Sequence, residues 1–406
     1  MLKHINLNFK FSIIFVLLVN SAYAEDNAKE AIIKNAILEN GFLPAVELFI
    51  NKDALLFPEG EVFFNSEHLS LNGNISCATC HFPEKSSGDG ISNAAGVGGV
   101  GEGYERLMSG AKVVPRNSLA LWGVGSMGVN TMFWDGKLDF SDDKKVSQFG
   151  TTSPSNDPLI TAVHLPAVEI RETLEEDAFI LQNKSETVQG ADVIYNAITD
   201  NIKKYESDAV GSLAKKINKE PSEISFLDIA RSIAAFIRSE FKIKETLLER
   251  FVTGSDDFNT TQLLGAQIFY GKGGCSVCHS GSSFSDLKFH TVPFPQLGFG
   301  KNGFGVDYGR YNSTFNPKDL YKFRTPMLYN VEFTAPYGHS GSVMTLNDAI
   351  KAHYDPLSIT PLGSYDELQR HEFYKFLAKS DVPNTVNFLR EEEVVALVEF
   401  LKTLSF

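Results

Sequence analysis

Apolar residues recur at helical spacing over residues 224–241, where Ile224, Leu227, Ile229, Ile233, Phe236, Ile237 and Phe241 form one stripe. Ser222 and Ser225 precede the stripe and offer N-caps, because a hydroxyl there accepts from the free N–H groups of the first turn. The same reasoning predicts a helix over 260–269 that runs into Gly271-Lys-Gly-Gly, and another over 346–353 with Thr345 as its N-cap. A last helix, 391–404, opens with three Glu at the positive end of the helix dipole and turns Val394, Val395, Val398 and Leu401 inward. Residues 30–40 and 44–50 read as shorter helical pieces. From 72 to 130 the chain is rich in Gly and Asn and keeps no period, so irregular chain is expected. The run Gly96-Val-Gly-Gly-Val-Gly-Glu-Gly103 within it lacks the preceding strand and the following Lys-Ser/Thr of a phosphate loop. Strand signals are few. The pattern predicts a mainly α protein.

One apolar run belongs to none of these helices. Lys3 and Lys10 precede residues 11–19, and Ser21-Ala22-Tyr23-Ala24 follows with the small-x-small pattern of a cleavage site. So short a run falls well below a membrane span of roughly 20 residues. Residues 1–24 therefore read as a signal peptide, with an uncleaved N-terminal anchor as the alternative. No other segment reaches spanning length. Cleavage removes two Lys and no carboxylate, taking the net charge from −13 to −15 over the remaining 382 residues. That acidity argues against nucleic acid as a partner, since no cationic excess meets phosphate. It suits a basic electron donor. The length exceeds one ordinary core, so two domains, 25–245 and 246–406, are expected, with a return of the final helix to the first left open.

All four cysteines fall in two pentapeptides of one format, Cys77-Ala-Thr-Cys80-His81 and Cys275-Ser-Val-Cys278-His279. Each thiol pair can add to the two vinyl groups of a haem, and the adjacent His then reaches the iron. Two structural disulfides or an all-thiolate zinc site give no reason for His to follow both pairs, which lie 198 residues apart. Two haem c groups follow, one per domain. Covalent haem c is assembled outside the cytoplasm, in keeping with the leader. The irregular 72–130 stretch is then chain folded over a haem face.

At this point the chain resembles the bacterial di-haem cytochrome c peroxidase superfamily, which includes the di-haem enzymes that mature the quinone cofactor of methylamine dehydrogenase. The resemblance rests on both haem motifs, Pro115-Arg-Asn117, Phe133-Trp-Asp-Gly136, Asp307-Tyr-Gly-Arg310, Arg324-Thr-Pro326, Thr334-Ala-Pro-Tyr-Gly-His339-Ser-Gly-Ser342 and the final helix. It implies two α-helical cytochrome c-like domains, an N-terminal haem that meets peroxide and a C-terminal haem that relays electrons. It further implies calcium between the domains, held by Asn117 and the backbone of Thr334 and Pro336, and an inter-haem tryptophan at Trp134. The acid–base carboxylate matches Glu169. The assisting Gln has no clear equivalent, since Gln148 is out of register and Lys144 takes the direct count, and His164 is a further candidate for the pocket.

Two departures stand out. The family's second His, sixteen residues after the first haem motif, is replaced by Val97, and no His lies between His81 and His164. The first iron is then open or water-bound, with Met108 as an alternative cap. Fourteen residues beyond His339, where the peroxidases have Met and the maturation enzymes Tyr, stands His353, with Tyr354 as the competing ligand. The expected function is periplasmic reduction of hydrogen peroxide with electrons from a small cytochrome c or cupredoxin, by a monomer or homodimer. The alternatives are oxidation of a specific protein or small-molecule partner, and electron carriage without peroxide turnover.

Overall fold

A computed structural model describes residues 28–142, 145–150, 153–177, 187–382 and 388–406. The expected leader, 1–24, and Lys144 lie outside the described residues. The helices that shape the site are α1 (28–39), α2 (Phe57–Asn65), α3 (Pro158–His164), α4 (Val188–Tyr205), α5 (Phe226–Glu240), α6 (Thr260–Tyr270), α7 (Leu346–Tyr354), α8 (Glu367–Ala378) and α9 (Glu391–Lys402). Their starts follow from capping. At α5, Ser225 and Asp228 cap one another, with the Ser225 N–H 2.9 Å from the carboxylate. At α6, Asn259 and Gln262 do the same at 2.9 Å each way. At α7, Thr345 accepts from the Asp348 N–H at 3.1 Å. Four of these helices, α2, α3, α4 and α8, were not foreseen.

Apolar side chains gather into two main cores. The first joins Phe63 and Phe64 of α2, Ile194, Ile198 and Ile202 of α4, and Ile229, Ile233, Phe236 and Ile237 of α5. The second joins Phe269 of α6 to Val394, Leu397, Phe400 and Leu401 of α9, and includes Ile33, Ile37, Phe42 and Leu48. The stretch from α1 to Leu48 thus packs with residues beyond 246, although it precedes the first core in sequence. Gly281 N–H donates to Asn40 O at 2.7 Å, and Ala45 N–H to Glu249 at 3.0 Å. The final helix packs on α6 in the second core and does not cross to the first.

The two cores are built on the same helix crossing. A Cβ at Gly60 of α2 would meet Ser232 O at 1.9 Å and the Phe236 Cβ at 2.9 Å; one at Gly265 of α6 would meet Ala396 O at 2.0 Å and the Phe400 Cβ at 2.7 Å. Each crossing sets a glycine against a carbonyl and the Phe one turn further along the partner helix. Glycine inside a helix costs about 0.5–1 kcal/mol relative to alanine. Burying a Phe side chain gains about 1.5–3 kcal/mol, so close approach wins.

Sheet content is small, as expected. β1 (Thr131–Met132) and β2 (Leu138–Asp139) form a hairpin that β3 (Val146–Ser147) extends, and β4 (Phe289–His290) pairs antiparallel with β5 (Phe323–Arg324). Residues 133–137 turn between β1 and β2, so the hairpin presents Trp134 at its tip.

Candidate active site

The short motifs quoted above meet in space along the seam between the cores. Arg116 grips Asp307 through Nε and Nη2 at 2.7 and 2.9 Å and reaches Asp135 through Nη1 at 2.6 Å. Asn117 Nδ2 donates to Pro336 O at 2.6 Å, and its backbone N–H to His339 O at 2.8 Å. Trp134 Nε1 donates to Asn117 O at 3.0 Å, and the Arg324 N–H donates to Trp134 O at 2.8 Å. Ser118 Oγ donates to Cys80 O at 3.0 Å. A few bonded steps thus lead from the first Cys pair to the indole. Arg116 loses hydration on burial, yet Asp135 and Asp307 outweigh this and hold its guanidinium more firmly charged than in water. The seam is therefore fixed by buried, bidentate pairing, a geometry a lysine could not reproduce.

On the C-terminal side, Cys275, Cys278, His279, His353, Trp134, Trp122 and Arg324 line one cavity of about 1830 Å³, part of it open to solvent. His279 Nδ1 lies 3.0 Å from Phe284 O and His353 Nδ1 lies 2.8 Å from Ala349 O, so both rings keep Nε2 free. The two ring centroids stand 6.4 Å apart. Metal–imidazole bonds of about 2.0–2.1 Å, with ~1.1 Å from nitrogen to ring centre, place two opposed imidazoles about 6.3 Å apart. Burial, then the facing His353, press His279 down to about 4, and burial lowers His353 as well. Both are neutral near pH 7, the form a metal takes. Two anchoring thiols, two opposed imidazoles and a broad apolar cavity fit a haem c. Tyr354 also lines the cavity, and its ring packs edge-on to Phe388 at 5.6 Å.

On the N-terminal side, His81 Nδ1 lies 2.8 Å from Ser87 O, the same backing as His279. Val97 is fully buried and bonded through its N–H to Arg171 O at 3.2 Å. No imidazole faces His81 from that position. Instead, a turn places two carboxyls nearby. Arg171 adopts φ 73°, and its guanidinium stacks over Phe299 at 5.4 Å. The adjacent Glu172 acts electrostatically on both thiols, raising Cys77 next after burial itself and Cys80 after burial and Asp89. Glu169 is buried between two ammonium groups, Lys137 at 2.9 Å and Lys301 at 2.7 Å. Burial opposes its charge, but Lys137 and Lys301 overcome that and hold the carboxyl far below the usual range. Among the described residues, Glu172 has no such partner. Burial pushes it up to about 7, with Lys137 and Lys301 resisting and Glu169 adding to the rise.

The expected residues divide accordingly. Cys77, Cys80 and His81 meet at one site, and Cys275, Cys278, His279 and His353 at the other. Asn117, Thr334 and Pro336 line the same cavity wall. Glu169 is buried. His164 is packed edge-on against Tyr195 and Phe226 at 5.2 and 5.0 Å, with Nδ1 2.7 Å from Ile160 O, and burial lowers it to about 4. It sits as a core histidine, which corrects its candidacy for proton transfer. Met108 is 88 % exposed, so it stands in solvent and does not cap an iron. No role was expected of Lys137, Lys301, Glu172, Arg324 or Trp122. Arg324 stood in a quoted motif without a task, and Lys137 directly follows Phe-Trp-Asp-Gly.

The mainly helical fold is that of solved di-haem proteins. The diheme peroxidase BthA from Burkholderia thailandensis superposes with a TM-score of 0.61 at 17% identity, covering 90% of this chain and 89% of the other. The chain belongs to the di-haem cytochrome c peroxidase family, whose profile matches residues 58–257, and is an oxidoreductase of that class. Cytochrome-c peroxidase IdrP1 of Pseudomonas sp. (strain SCT) is 26% identical over 317 residues, 72% of this chain and 69% of that protein. The methylamine utilization protein MauG of Methylorubrum extorquens is 26% identical over 300 residues, 73% and 67% of the two chains.

Proposed function

We propose that this protein reduces hydrogen peroxide to water with electrons from a small cytochrome c or cupredoxin, each peroxide taking up two electrons and two protons and yielding two waters. The observation that carries the reading is the asymmetry of the two sites. His353 faces His279, whereas position 97 offers His81 no ligand. Haem c at each site, bound through Cys77 and Cys80 and through Cys275 and Cys278, would supply the redox-active iron, open to peroxide beside His81 and closed by two imidazoles beside His279.

The side chains then have distinct tasks. Peroxide must give up a proton from one oxygen and receive one on the other before the O–O bond breaks. A carboxyl near pH 7 accepts and returns that proton readily, so Glu172 carries it. Glu169, fixed as a carboxylate by Lys137 and Lys301, holds those ammonium groups in place and sets the field around Glu172. Trp134, hydrogen-bonded to Asn117 O, shortens the path between the sites. Calcium at Asn117, Thr334 and Pro336 belongs to the same reading through the resemblance alone. Oxygen donors of this kind suit calcium, and calorimetry on chelator-treated protein tests it. Export by residues 1–24 would place the enzyme in the periplasm.

Similarity to MauG supports a second reading, in which the oxidising equivalents are spent on a protein partner. Bis-imidazole coordination points the same way, since it gives a lower potential than imidazole with thioether. The deciding experiment gives oxidised protein peroxide with and without a reduced small cytochrome c across a range of salt. Rapid, salt-sensitive donor oxidation supports peroxide reduction by docking of exposed charges. A long-lived oxidised state that ignores the donor supports partner oxidation. Indifference to peroxide would leave an electron carrier.

A further inference from the structure

Two arginines withdrawn from water in this protein grip carboxylates. Arg116 holds Asp135 and Asp307, and Arg238 holds Asp157 through both oxygens at 2.6 Å. Arg324 is 5% exposed and holds none. Its Nε donates to Phe133 O and its Nη1 to Thr325 O, both at 3.2 Å and both neutral acceptors. No carboxylate among the described residues pairs with it. Arg106 shares that lack but bonds the Gly96 and Asn74 carbonyls beside Cys80, whereas Arg324 lines the His279 cavity. A buried guanidinium without a counter-charge is strongly unfavourable, and burial alone pulls Arg324 down to about 10.

A second unpaired group borders the same cavity. The Trp122 indole N–H is buried with no acceptor among the described residues. Its ring is locked edge-on by Phe241 at 5.5 Å and Phe406 at 5.0 Å, so it cannot turn to find one cheaply. A buried Trp N–H normally has a partner. A lone cation and a lone donor on the wall of one cavity call for an anionic acceptor within it.

We propose that Arg324 and Trp122 bind the propionate carboxylates of the haem at His279, with Arg324 as their counter-charge; this rests on the reading that haem c fills the cavity. The consequence reaches function. A guanidinium beside a propionate offsets negative charge that would stabilise ferric iron, and so raises the potential of a haem that two imidazoles hold low. Arg324 also donates its backbone N–H to Trp134 O. The same residue thereby ties the electron-relay haem to the bridging indole. Arg324 is a positioning and tuning residue whose effect is read at the cofactor.

The test is a spectroelectrochemical titration of the low-spin haem at several pH values in the purified holoprotein, comparing the parent with R324M, R324K and W122F. In R324M the ferric form should be favoured by about tenfold, ~59 mV for a one-electron couple. Its midpoint should also become pH-dependent as an unpaired propionate begins to titrate. R324K should recover most of the charge effect, and W122F should give a smaller shift without the new pH dependence. An unchanged midpoint in R324M with both haems attached would overturn the proposal, as would equal shifts in R324K and R324M, which would mean that only packing had changed. Should R324M not fold, the R324K and W122F titrations still decide, because neither removes the buried charge. A parent protein carrying fewer than two covalent haems by pyridine haemochrome assay would sink the underlying reading instead, a result separate from any midpoint shift.

Discussion

The two halves of this molecule share their foundations and differ on one face. Each half crosses a glycine-bearing helix over a partner helix carrying a carbonyl and, four residues on, a Phe: Gly60 against Ser232 and Phe236, Gly265 against Ala396 and Phe400. Each backs its proximal histidine with a backbone carbonyl, Ser87 O for His81 and Phe284 O for His279, which fixes the ring and leaves Nε2 forward. The divergence lies across from those rings. One half brings up His353 on α7. The other buries Val97 and gathers Glu169, Glu172, Lys137 and Lys301 nearby. On the function proposed above, scaffold alone does not decide between relay and reaction; the residues opposite His81 and His279 do.

The largest expected effect comes from removing the facing imidazole. His353→Met should raise the midpoint of the C-terminal haem by on the order of hundreds of millivolts, within the ~0.8 V that axial ligands span. It should also replace the bis-imidazole signal in electron paramagnetic resonance. An unchanged low-spin signal would remove His353 from the iron and bring Tyr354 forward. Next comes Glu172→Gln, expected to slow the reaction with peroxide by about 10²–10⁴-fold while leaving both haems attached. In the parent, Glu172 is protonated below about 7 and ionised above it. Any step that draws on its proton should weaken as pH rises through that value, and the substituted protein should lose this limb. Parent-like stopped-flow rates would return attention to Glu169.

The shared foundation can be broken one half at a time. Alanine at Gly60 or Gly265 puts a methyl 1.9 or 2.0 Å from a backbone oxygen, so the helices must part. Overpacking of this kind costs about 1–3 kcal/mol, more than the helix-propensity gain of about 0.5–1 kcal/mol returns. Thermal melts followed at the individual haem bands should show each substitution loosening mainly its own half. Equal loosening of both would mean that the cores are not separate units.

How much of this was legible in the sequence follows from what kind of signal each feature leaves. Local signals read well. The haem pentapeptides, the Thr345 cap and the stripe of α5 depend on near neighbours, and α6 and α7 end within a residue of expectation. The α4 stripe of Ala191, Ile194, Ile198 and Ile202 was equally regular and went unread. The repeated helix crossing was hidden because it needs only one Gly and one Phe per half, far too few residues to register as a repeat. Long-range pairing left no trace either. Arg116 and Asp307 are 191 residues apart, and nothing near Glu172 announces that its half-buried side chain is desolvated and, among the described residues, unpaired, while Glu169 is clamped. Motif matching found the carboxylate in the family's place, but charge state is a property of the assembled surroundings.

That clamp supplies the smallest expected effect. Lys301→Met removes one of two ammonium groups from Glu169 and leaves Lys137 at 2.9 Å, so the carboxylate stays paired and the loss should be about 1–2 kcal/mol, below the 3–5 kcal/mol of a fully orphaned buried charge. The sign follows from the depressed value of Glu169 in the folded protein. Its contribution is present above the unfolded carboxylate value near 4.3 and is lost as pH falls through the lower folded value. With Lys301 gone the folded value rises toward the unfolded one, so the substituted protein should unfold at a higher pH on acid titration, while the deficit near pH 7 stays modest. The same change removes a cation that holds Glu172 down. The neutral-pH limb of the peroxide reaction should therefore move to higher pH. Urea unfolding between pH 3 and 7, paired with stopped-flow rates from pH 6 to 9, reads both shifts. An acid transition unchanged from the parent would show that Lys137 alone holds Glu169, and a peroxide limb that stays put would show that Lys301 exerts no field on Glu172. The distinction between the two halves would then rest on Lys137 and the missing imidazole at Val97.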